Sequence, residues 1–146
     1  MSDAKSNTFE TALLGLIFNA TSIATLAQNS TTSPTSLLYV ALHTASPTDS
    51  ASSGMATSEC AYTSYARVAV ARNSSGWTVS GSTCIPTATI SFPQATGGTE
   101  TATYMSVGLS TVSTADILYY GTVTPNISIS NGVTPQITTS TIITEA

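Results

Sequence analysis

One stretch of the chain, Leu37–Pro47, is the longest apolar run after the N-terminal segment. In an extended conformation both of its faces are mostly apolar, with Leu38, Val40 and Leu42 on one side and Leu37, Tyr39, Ala41 and His43 on the other. A strand of this kind is typical of the centre of a sheet that is covered on both sides. Pro47 ends the strand, because proline cannot donate a hydrogen bond to a neighbouring strand.

A second alternating stretch, Tyr62–Arg72, is predicted to be the strand that pairs with Leu37–Thr44. Between the two lies Ala45–Ala61, which is rich in serine and threonine and is predicted to be an exposed loop. Loops of this length inside a compact domain are commonly functional or disordered.

The rest of the chain contains more short alternating stretches, which are separated by turn residues and bounded by prolines: Trp77–Ser80, Ile85–Phe92, Thr103–Ser110, Ile117–Val123, Ile127–Ile129 and Gln136–Thr144. Thr111–Asp116 is predicted to be a turn, and Asn131 with Gly132 is a tight-turn signal. About seven or eight short strands at spacings of roughly 8–12 residues predict an all-β fold, a β-sandwich or jelly-roll-like domain. The lone Trp77 is expected at the sandwich edge.

A helix is predicted over Thr8–Ala20, because Asn7 is a capping residue that has Glu10 three places later. Apolar residues follow at helical spacing, and these are Phe9, Leu13, Leu16, Ile17 and Ala20. We therefore divide the chain into a short N-terminal α-helical arm with its linker, residues 1–32, and a β-sandwich domain, residues 33–146. The sequence leaves open whether the arm packs on its own sandwich or on a neighbouring subunit.

Charged side chains make up only 7% of the chain, whereas about 25% is usual in globular proteins. Serine and threonine take their place, which favours an all-β protein with a weakly charged surface. The net charge of -4 and the few cations, Lys5, Arg67 and Arg72, give no basis for binding nucleic acid. Weak self-repulsion suits assembly with copies of the chain or with a partner lattice, and an ordinary low-charge soluble domain fits the composition equally well.

The N-terminal segment lacks the basic region of a secretory signal, and the apolar run Ala12–Phe18 is too short to span a bilayer. We therefore expect no export by that route and no membrane partner. Cys60 and Cys84 are then expected to be free thiols. Two cysteines and one histidine fall short of a structural zinc set, so we expect no metal.

No arrangement of residues in the sequence predicts catalysis. His43 could be combined with Asp49 or Asp116 and a serine, but that combination has almost no specificity, and the Gly-X-Ser-X-Gly motif of hydrolases is missing. A packed or hydrogen-bonded histidine in a central strand is the favoured interpretation. Glu59 and Glu100 fall in predicted loops, without neighbours that would tune them for acid–base work. We expect that the protein is not an enzyme and has no catalytic residues and no cofactor.

Five tyrosines have two open interpretations, and they are Tyr62, Tyr65, Tyr104, Tyr119 and Tyr120. They could form an aromatic platform for a sugar, or they could pack within strands and at subunit contacts, where a ring with a polar tip is suited. We favour packing and contacts. The candidate interface joins the apolar helix face with four of the tyrosines: Phe9, Leu13, Leu16, Ile17, Tyr62, Tyr65, Tyr104 and Tyr119.

The order of these segments resembles a family of small virion proteins of tailed bacteriophages. The motifs that carry the resemblance are Leu-Tyr-Val-Ala-Leu-His-Thr at 38–44, Tyr-Ala-Arg-Val-Ala-Val at 65–70, Phe-Pro-Gln-Ala-Thr-Gly at 92–97 and Ile-Leu-Tyr-Tyr-Gly-Thr-Val at 117–123. Members are often described as tail fibre proteins, and some are similar to head decoration, or cement, proteins. The chain departs from the family after His43 and Thr44, where serine and threonine replace most of the usual Gly, Asp and Glu.

The resemblance implies a structural virion protein without catalytic function. Our main prediction is a capsid decoration protein that is made in the bacterial cytoplasm, binds the major capsid protein on the outer surface of the head, and stabilises it as an oligomer, with a trimer favoured. The alternative is a tail fibre or baseplate-associated protein that binds the host. A third class, a carbohydrate-active enzyme or lectin, is disfavoured because no acid–base pair is evident. Nothing in the sequence separates head from tail.

Overall fold

A computed structural model of the chain describes residues 6–23, 26–27, 34–48, 54–109 and 117–145. Within these ranges helix α1 spans Asn7–Asn19, and nine strands follow it: β1 Leu37–His43, β2 Val68–Ala71, β3 Trp77–Ser80, β4 Thr83–Pro86, β5 Ile90–Ser91, β6 Glu100–Gly108, β7 Ile117–Ile129, β8 Gln136–Ile137 and β9 Ile143–Thr144. The predicted all-β class with a short N-terminal helix is confirmed. The predicted Thr111–Asp116 turn and Asp49 lie outside the described residues.

The chain forms two compact units that interleave along the sequence. Unit 1 comprises Met1–Leu37, Ala71–Thr89 and Thr138–Ala146, and unit 2 comprises Leu38–Val70 and Ile90–Ile137. Unit 1 holds α1 and the three-stranded sheet β3-β4-β9, while unit 2 holds most of the four-stranded sheet β2-β1-β6-β7 and the two-stranded sheet β5-β8. Within the described residues, no helix is long and apolar enough to cross a membrane.

Helix α1 of unit 1 begins one residue earlier than predicted. The N-cap is Ser6, and its hydroxyl oxygen accepts a hydrogen bond from the Phe9 amide at 3.3 Å. The prediction of Asn7 as the cap is therefore wrong, because Asn7 is already the first helical residue. Ala20 adopts a left-handed conformation with φ 55° and ends the helix.

The buried line of α1 consists of Glu10, Leu14 and Phe18, which recur every four residues. The Phe18 ring packs edge-on against Trp77 of β3, with ring centroids 4.8 Å apart. Of the two alternatives left open for the helix, the structure shows packing on its own chain. Trp77 is fully buried, and its strand, β3, is a terminal strand of the three-stranded sheet.

The Arg72 guanidinium fixes the C-terminal end of α1. Its Nε donates to the Ile17 carbonyl at 2.7 Å, one Nη donates to the Leu16 carbonyl at 2.5 Å, and the other donates to the Thr35 carbonyl at 3.2 Å. The last carbonyls of a helix lack partners within it, and a cation there also complements the helix dipole. Burial lowers the pKa of Arg72.

In unit 2, β1 lies between β2 and β6, which confirms the predicted pairing of the first two strands. β1 and β6 are antiparallel, with Val40 opposite Val107 and Leu42 opposite Met105. The second strand is shorter than predicted: only Val68–Ala71 is extended against β1, and residues 62–67 fold as a loop instead.

Other strand boundaries also differ from prediction, and the last predicted strand, Gln136–Thr144, is divided into β8 and β9. The stretch Ile85–Phe92 is split into β4 and β5, because Pro86 ends the first of them. β6 begins at Glu100 rather than Thr103. β7 runs without a break from Ile117 to Ile129, although two strands were predicted there.

β7 accommodates Pro125 at a bulge. Ala102 of β6 is opposite Ile127 and Tyr104 is opposite Thr122, so the four residues 123–126 face the single residue Thr103. β7 is also the terminal strand of its sheet, where proline is tolerated. The predicted tight turn at Gly132 is confirmed by its φ of 88° and by a Val133–Ser130 backbone bond of 3.0 Å.

Candidate functional site

Residues 54–60 form a strap that pairs with the end of β1 in unit 2. The Thr44 amide donates to the Ser58 carbonyl at 2.8 Å, and the Cys60 amide donates to the Leu42 carbonyl at 2.9 Å. Met55 of the strap is fully buried and packs on Ala41. The strap therefore covers the face of β1 that carries Ala41 and His43.

His43 lies between this strap and β6, and its ring is 0% exposed. Its Nδ1 is 2.9 Å from the Thr57 carbonyl oxygen, and its Nε2 is 2.7 Å from the Ser106 Oγ. Because a carbonyl only accepts, Nδ1 carries the proton of the neutral ring, and Nε2 accepts from the Ser106 hydroxyl. Burial lowers the pKa of His43 from its ordinary value of 6.5. The prediction of a hydrogen-bonded core histidine is confirmed.

An ion pair next to His43 holds the strap to the segment that follows it. Arg67 Nε and one Nη donate to the two Glu59 carboxylate oxygens at 2.7 and 2.8 Å. The Arg67 side chain is 6% exposed and that of Glu59 15%. The carboxylate bonds raise the pKa of Arg67. A bidentate pair of this kind fixes both position and orientation.

The Tyr65 hydroxyl joins this pair to β1. It donates to Glu59 Oε1 at 2.9 Å and accepts from the Leu42 amide at 3.0 Å. Burial, with the adjacent Glu59 charge, raises the pKa of Tyr65 well above its ordinary value. The phenol therefore acts as a neutral bridge in this network.

A second carboxylate, Glu100, holds the chain just beyond the strap. Its two oxygens accept from the Ala61 amide at 3.1 and 3.0 Å, and one of them also accepts from the Tyr62 amide at 3.1 Å. Burial, with the Glu100 charge beside the thiol, raises the pKa of Cys60 to about 12. Cys60 and Cys84 are both buried free thiols, as predicted.

Two loops close against each other beside Glu100. The Thr63 amide donates to the Gly97 carbonyl at 3.0 Å, and the Thr96 amide donates to the Thr63 carbonyl at 3.1 Å. Gly98 has φ 86°, and a Cβ there would lie 3.4 Å from the Tyr62 Cα. Glycine is favoured at this position because L residues rarely adopt this φ, whereas an added Cβ would only come into van der Waals contact with the Tyr62 backbone.

The tyrosines divide into separate groups. Tyr62 is buried, its hydroxyl donates to the Pro93 carbonyl at 2.9 Å, and its ring packs edge-on against Tyr65 with centroids 5.3 Å apart. These two rings therefore lie inside unit 2 rather than on a free surface. The register places Tyr104 and Tyr120 on the face of the sheet that carries His43, with Tyr119 on the opposite face. No platform of five rings forms.

The helix residues of the candidate interface, Phe9, Leu13, Leu16 and Ile17, lie beside the buried line of α1 rather than on it. Phe9 is exposed, and the other three are half-buried. The structure does not bring these residues together with the candidate tyrosines into one described site. Their role in contacts between subunits stays a prediction.

The network at the end of β1 was missed because its members are far apart in sequence. The side chain of Glu100 reaches the Ala61 amide, 39 residues away, and Ser106 lies 63 residues from His43. The ion pair could have been suspected from the sequence, because Glu59 and Arg67 are only eight residues apart and lie on either side of Tyr65. Glu100 was predicted to fall in a loop, but it is the first residue of β6, and the carboxylates of Glu59 and Glu100 both bind other groups of the fold.

Charged side chains of the described residues hold segments of the fold together. Every charged residue in the described ranges is buried or half-buried, and Glu59, Arg67, Glu100 and Arg72 each bind other groups of the fold. Within those ranges no group of three or more His, Cys, Asp or Glu side chains is arranged to hold a metal ion. The described surface therefore presents hydroxyl, amide and apolar groups with little fixed charge.

Comparison with known protein families accounts for almost the whole chain. Residues 4–145 match the model of the family described as Gp80, podophage GP4 fiber I protein gp80. No curated protein matches the chain. This protein belongs to the podophage GP4 fiber I protein family and is a structural protein of a bacteriophage virion.

Proposed function

We propose that the chain is a subunit of a tail fibre or a baseplate-associated fibre of a podophage and takes part in binding the host. The observation that carries this proposal is the family match over residues 4–145, whose description is that of a fibre protein. Capsid decoration was our main prediction from the sequence, but the family description favours the alternative. Binding to the major capsid protein is therefore the competing hypothesis.

The internal chemistry of the protein supports a passive, durable role. His43, Glu59, Arg67 and Glu100 are used to hold backbone segments in place, and their hydrogen-bonding groups point into the fold. A fibre outside the cell meets changing salt concentrations, and surface charge pairs weaken as salt rises. Charges that are kept inside the fold are screened much less.

We further propose that copies of the chain associate through β7. This strand ends its sheet, so one of its edges has no neighbouring strand in the described part of the chain. Residues 117–123 carry no charge, and Tyr120 is 41% exposed. An uncharged edge strand without protecting lysines is a template for a second strand. The predicted trimer would be one way to close such contacts.

Counting copies per virion separates fibre from decoration. Purified virions are digested, and peptides of this chain and of the major capsid protein are quantified against isotope-labelled standards. A fibre subunit predicts a few copies per hundred capsid subunits, and immunogold labelling should then mark the tail. A ratio near one, with label over the head, would reject the fibre proposal in favour of decoration.

A further inference from the structure

We infer that His43 is an acid-sensitive latch, which holds the strap of residues 54–60 closed on β1 at neutral pH and releases it when the ring is protonated. The inference concerns the fold of the chain itself and does not depend on whether the virion uses it in a fibre. It rests on the position of His43 between two elements, on the hydrogen bonds of its two nitrogens, and on the groups that surround it.

His43 is the single histidine of the chain and joins the strap to the sheet. One ring nitrogen binds the backbone of Thr57 in the strap, and the other binds Ser106 of β6, which is itself 0% exposed. The backbone bonds of Thr44 to Ser58 and of Cys60 to Leu42 lie on either side of it. The ring is therefore at the centre of the contact that the strap makes with β1.

Protonation disturbs one of these two bonds and adds a buried charge. Nδ1 already donates to Thr57, but Nε2 would change from acceptor to donor toward Ser106. The Ser106 hydroxyl would then have to accept this bond, and its own proton would need a new acceptor in a site closed to water. An imidazolium in such a site is costly unless an anion is free to pair with it.

The titratable groups around His43 come from every element packed near it: Glu59 and Cys60 from the strap, Tyr65 and Arg67 from the segment that follows, and Tyr104 from β6 opposite the ring. Glu59 is the available anion, yet its two oxygens are held by Arg67 and one also by Tyr65. Burial, the largest effect, lowers the pKa of His43; the hydrogen bond to the Thr57 carbonyl and the Glu59 charge raise it, and the Arg67 charge lowers it. Opening of the strap exposes the imidazolium to water and so removes the cost of a buried, unpaired charge.

The direction of the pH dependence follows from the lowered pKa. With the strap open, the ring returns toward its ordinary pKa of 6.5, whereas the closed strap favours the neutral ring. His43 therefore contributes to closure above pH 6.5, and the contribution is lost as the pH falls from 6.5 toward the pKa of the closed form. In that interval the open population should rise about tenfold per pH unit, since one proton is taken up on opening.

Hydrogen exchange of the purified, full-length protein tests the latch directly. Exchange is measured for the amides of Thr44 and Cys60 between pH 7.5 and 5 and corrected for the intrinsic effect of pH. The expected result is a loss of protection for these two amides below pH 6.5, while the β1–β6 ladder keeps its protection. The single histidine also gives one set of ring signals by NMR, and these should titrate over the same interval as the strap opens.

Two variants separate His43 from the carboxylates that hold neighbouring backbone. In His43→Gln the amide can still donate to Thr57 and accept from Ser106 without titrating, so the strap should stay protected down to pH 5. Glu100→Gln is the matched control, because it alters another anchor and should keep the pH dependence of the wild type.

Two results would overturn the latch. One is a His43→Gln protein whose strap loses protection with the same pH dependence as the wild type. The other needs no variant, and so applies even if His43→Gln fails to fold: a ring that is protonated between pH 6.5 and 5 while Thr44 and Cys60 keep full protection. Virion copy number is independent of both, so failure of the latch and failure of the fibre proposal are distinguishable.

Discussion

Two arginines stabilise two regions of this protein by binding different kinds of group. Arg67 in unit 2 meets a carboxylate, Glu59, at two oxygens, whereas the described partners of Arg72 in unit 1 are the backbone carbonyls of Leu16, Ile17 and Thr35. The carboxylate bonds raise the pKa of Arg67, and burial lowers that of Arg72. The same type of side chain therefore serves as half of an ion pair in unit 2 and as a donor to several backbone carbonyls in unit 1.

The largest effect is expected from breaking the ion pair on one side only. Arg67→Met leaves the Glu59 carboxylate in a largely buried site without its guanidinium, and this should lower the free energy of unfolding by about 3–5 kcal/mol. Urea unfolding measures the loss. The double variant Glu59→Gln/Arg67→Met should lose less, because no uncompensated charge remains. A double variant that is as unstable as Arg67→Met would contradict this account of the pair.

A smaller effect is expected from the arginine at the helix end. Arg72→Met removes donors from carbonyls and leaves no buried charge behind, so the loss should be about 1–3 kcal/mol. Arg72→Lys keeps the charge near the helix terminus but replaces a planar fork by a single ammonium, and it should recover only part of the stability. Urea unfolding of both variants and of Arg67→Met measures the loss in free energy of unfolding. If Arg72→Met loses as much as Arg67→Met, the proposed difference between the two arginines is wrong.

A further difference in stability is expected between substitutions at two glycines, one in each unit. Gly98 of unit 2 and Gly81 of unit 1 both have positive φ, at 86° and 59°, but only Gly98 has neighbours within 4 Å of an added Cβ. Gly81→Ala should cost about 1–2 kcal/mol for backbone strain alone. Gly98→Ala should cost more in thermal or urea unfolding, because a φ of 86° lies outside the left-handed region open to an L residue and the added Cβ also comes into contact with the Tyr62 backbone. Equal losses would mean that the loops separate easily.

Local patterns in the sequence were enough for part of the fold. The apolar run predicted β1 as Leu37–Thr44, one residue longer than observed, and Trp77–Ser80 was predicted with the bounds that the structure has. The helix was found to within a residue at each end. These elements are set by side chains a few positions apart, which the order of residues displays directly.

What the sequence did not predict depends on pairings across long separations. Residues 62–67 alternate like a strand, yet the Tyr62 and Thr63 amides are bound by Glu100 and Gly97, which are distant in sequence, and the segment is a loop. The position of Trp77 in the sequence gives no sign that the Phe18 ring packs against it. The hydrogen bonds of His43 could not be predicted for the same reason. Its partner Ser106 follows only from the register of β1 and β6.

The interleaving of the two units has a consequence for synthesis on the ribosome. β9, at Ile143–Thr144, pairs with β4, and the Glu145 amide donates to the Ser82 carbonyl at 2.9 Å. The sheet of unit 1 can therefore be completed only after residues 143–145 have left the ribosome. Every residue of unit 2 leaves the ribosome before them. Helix α1 therefore remains without its finished sheet until β9 has left the ribosome, which happens after β8, the last strand of unit 2, has done so.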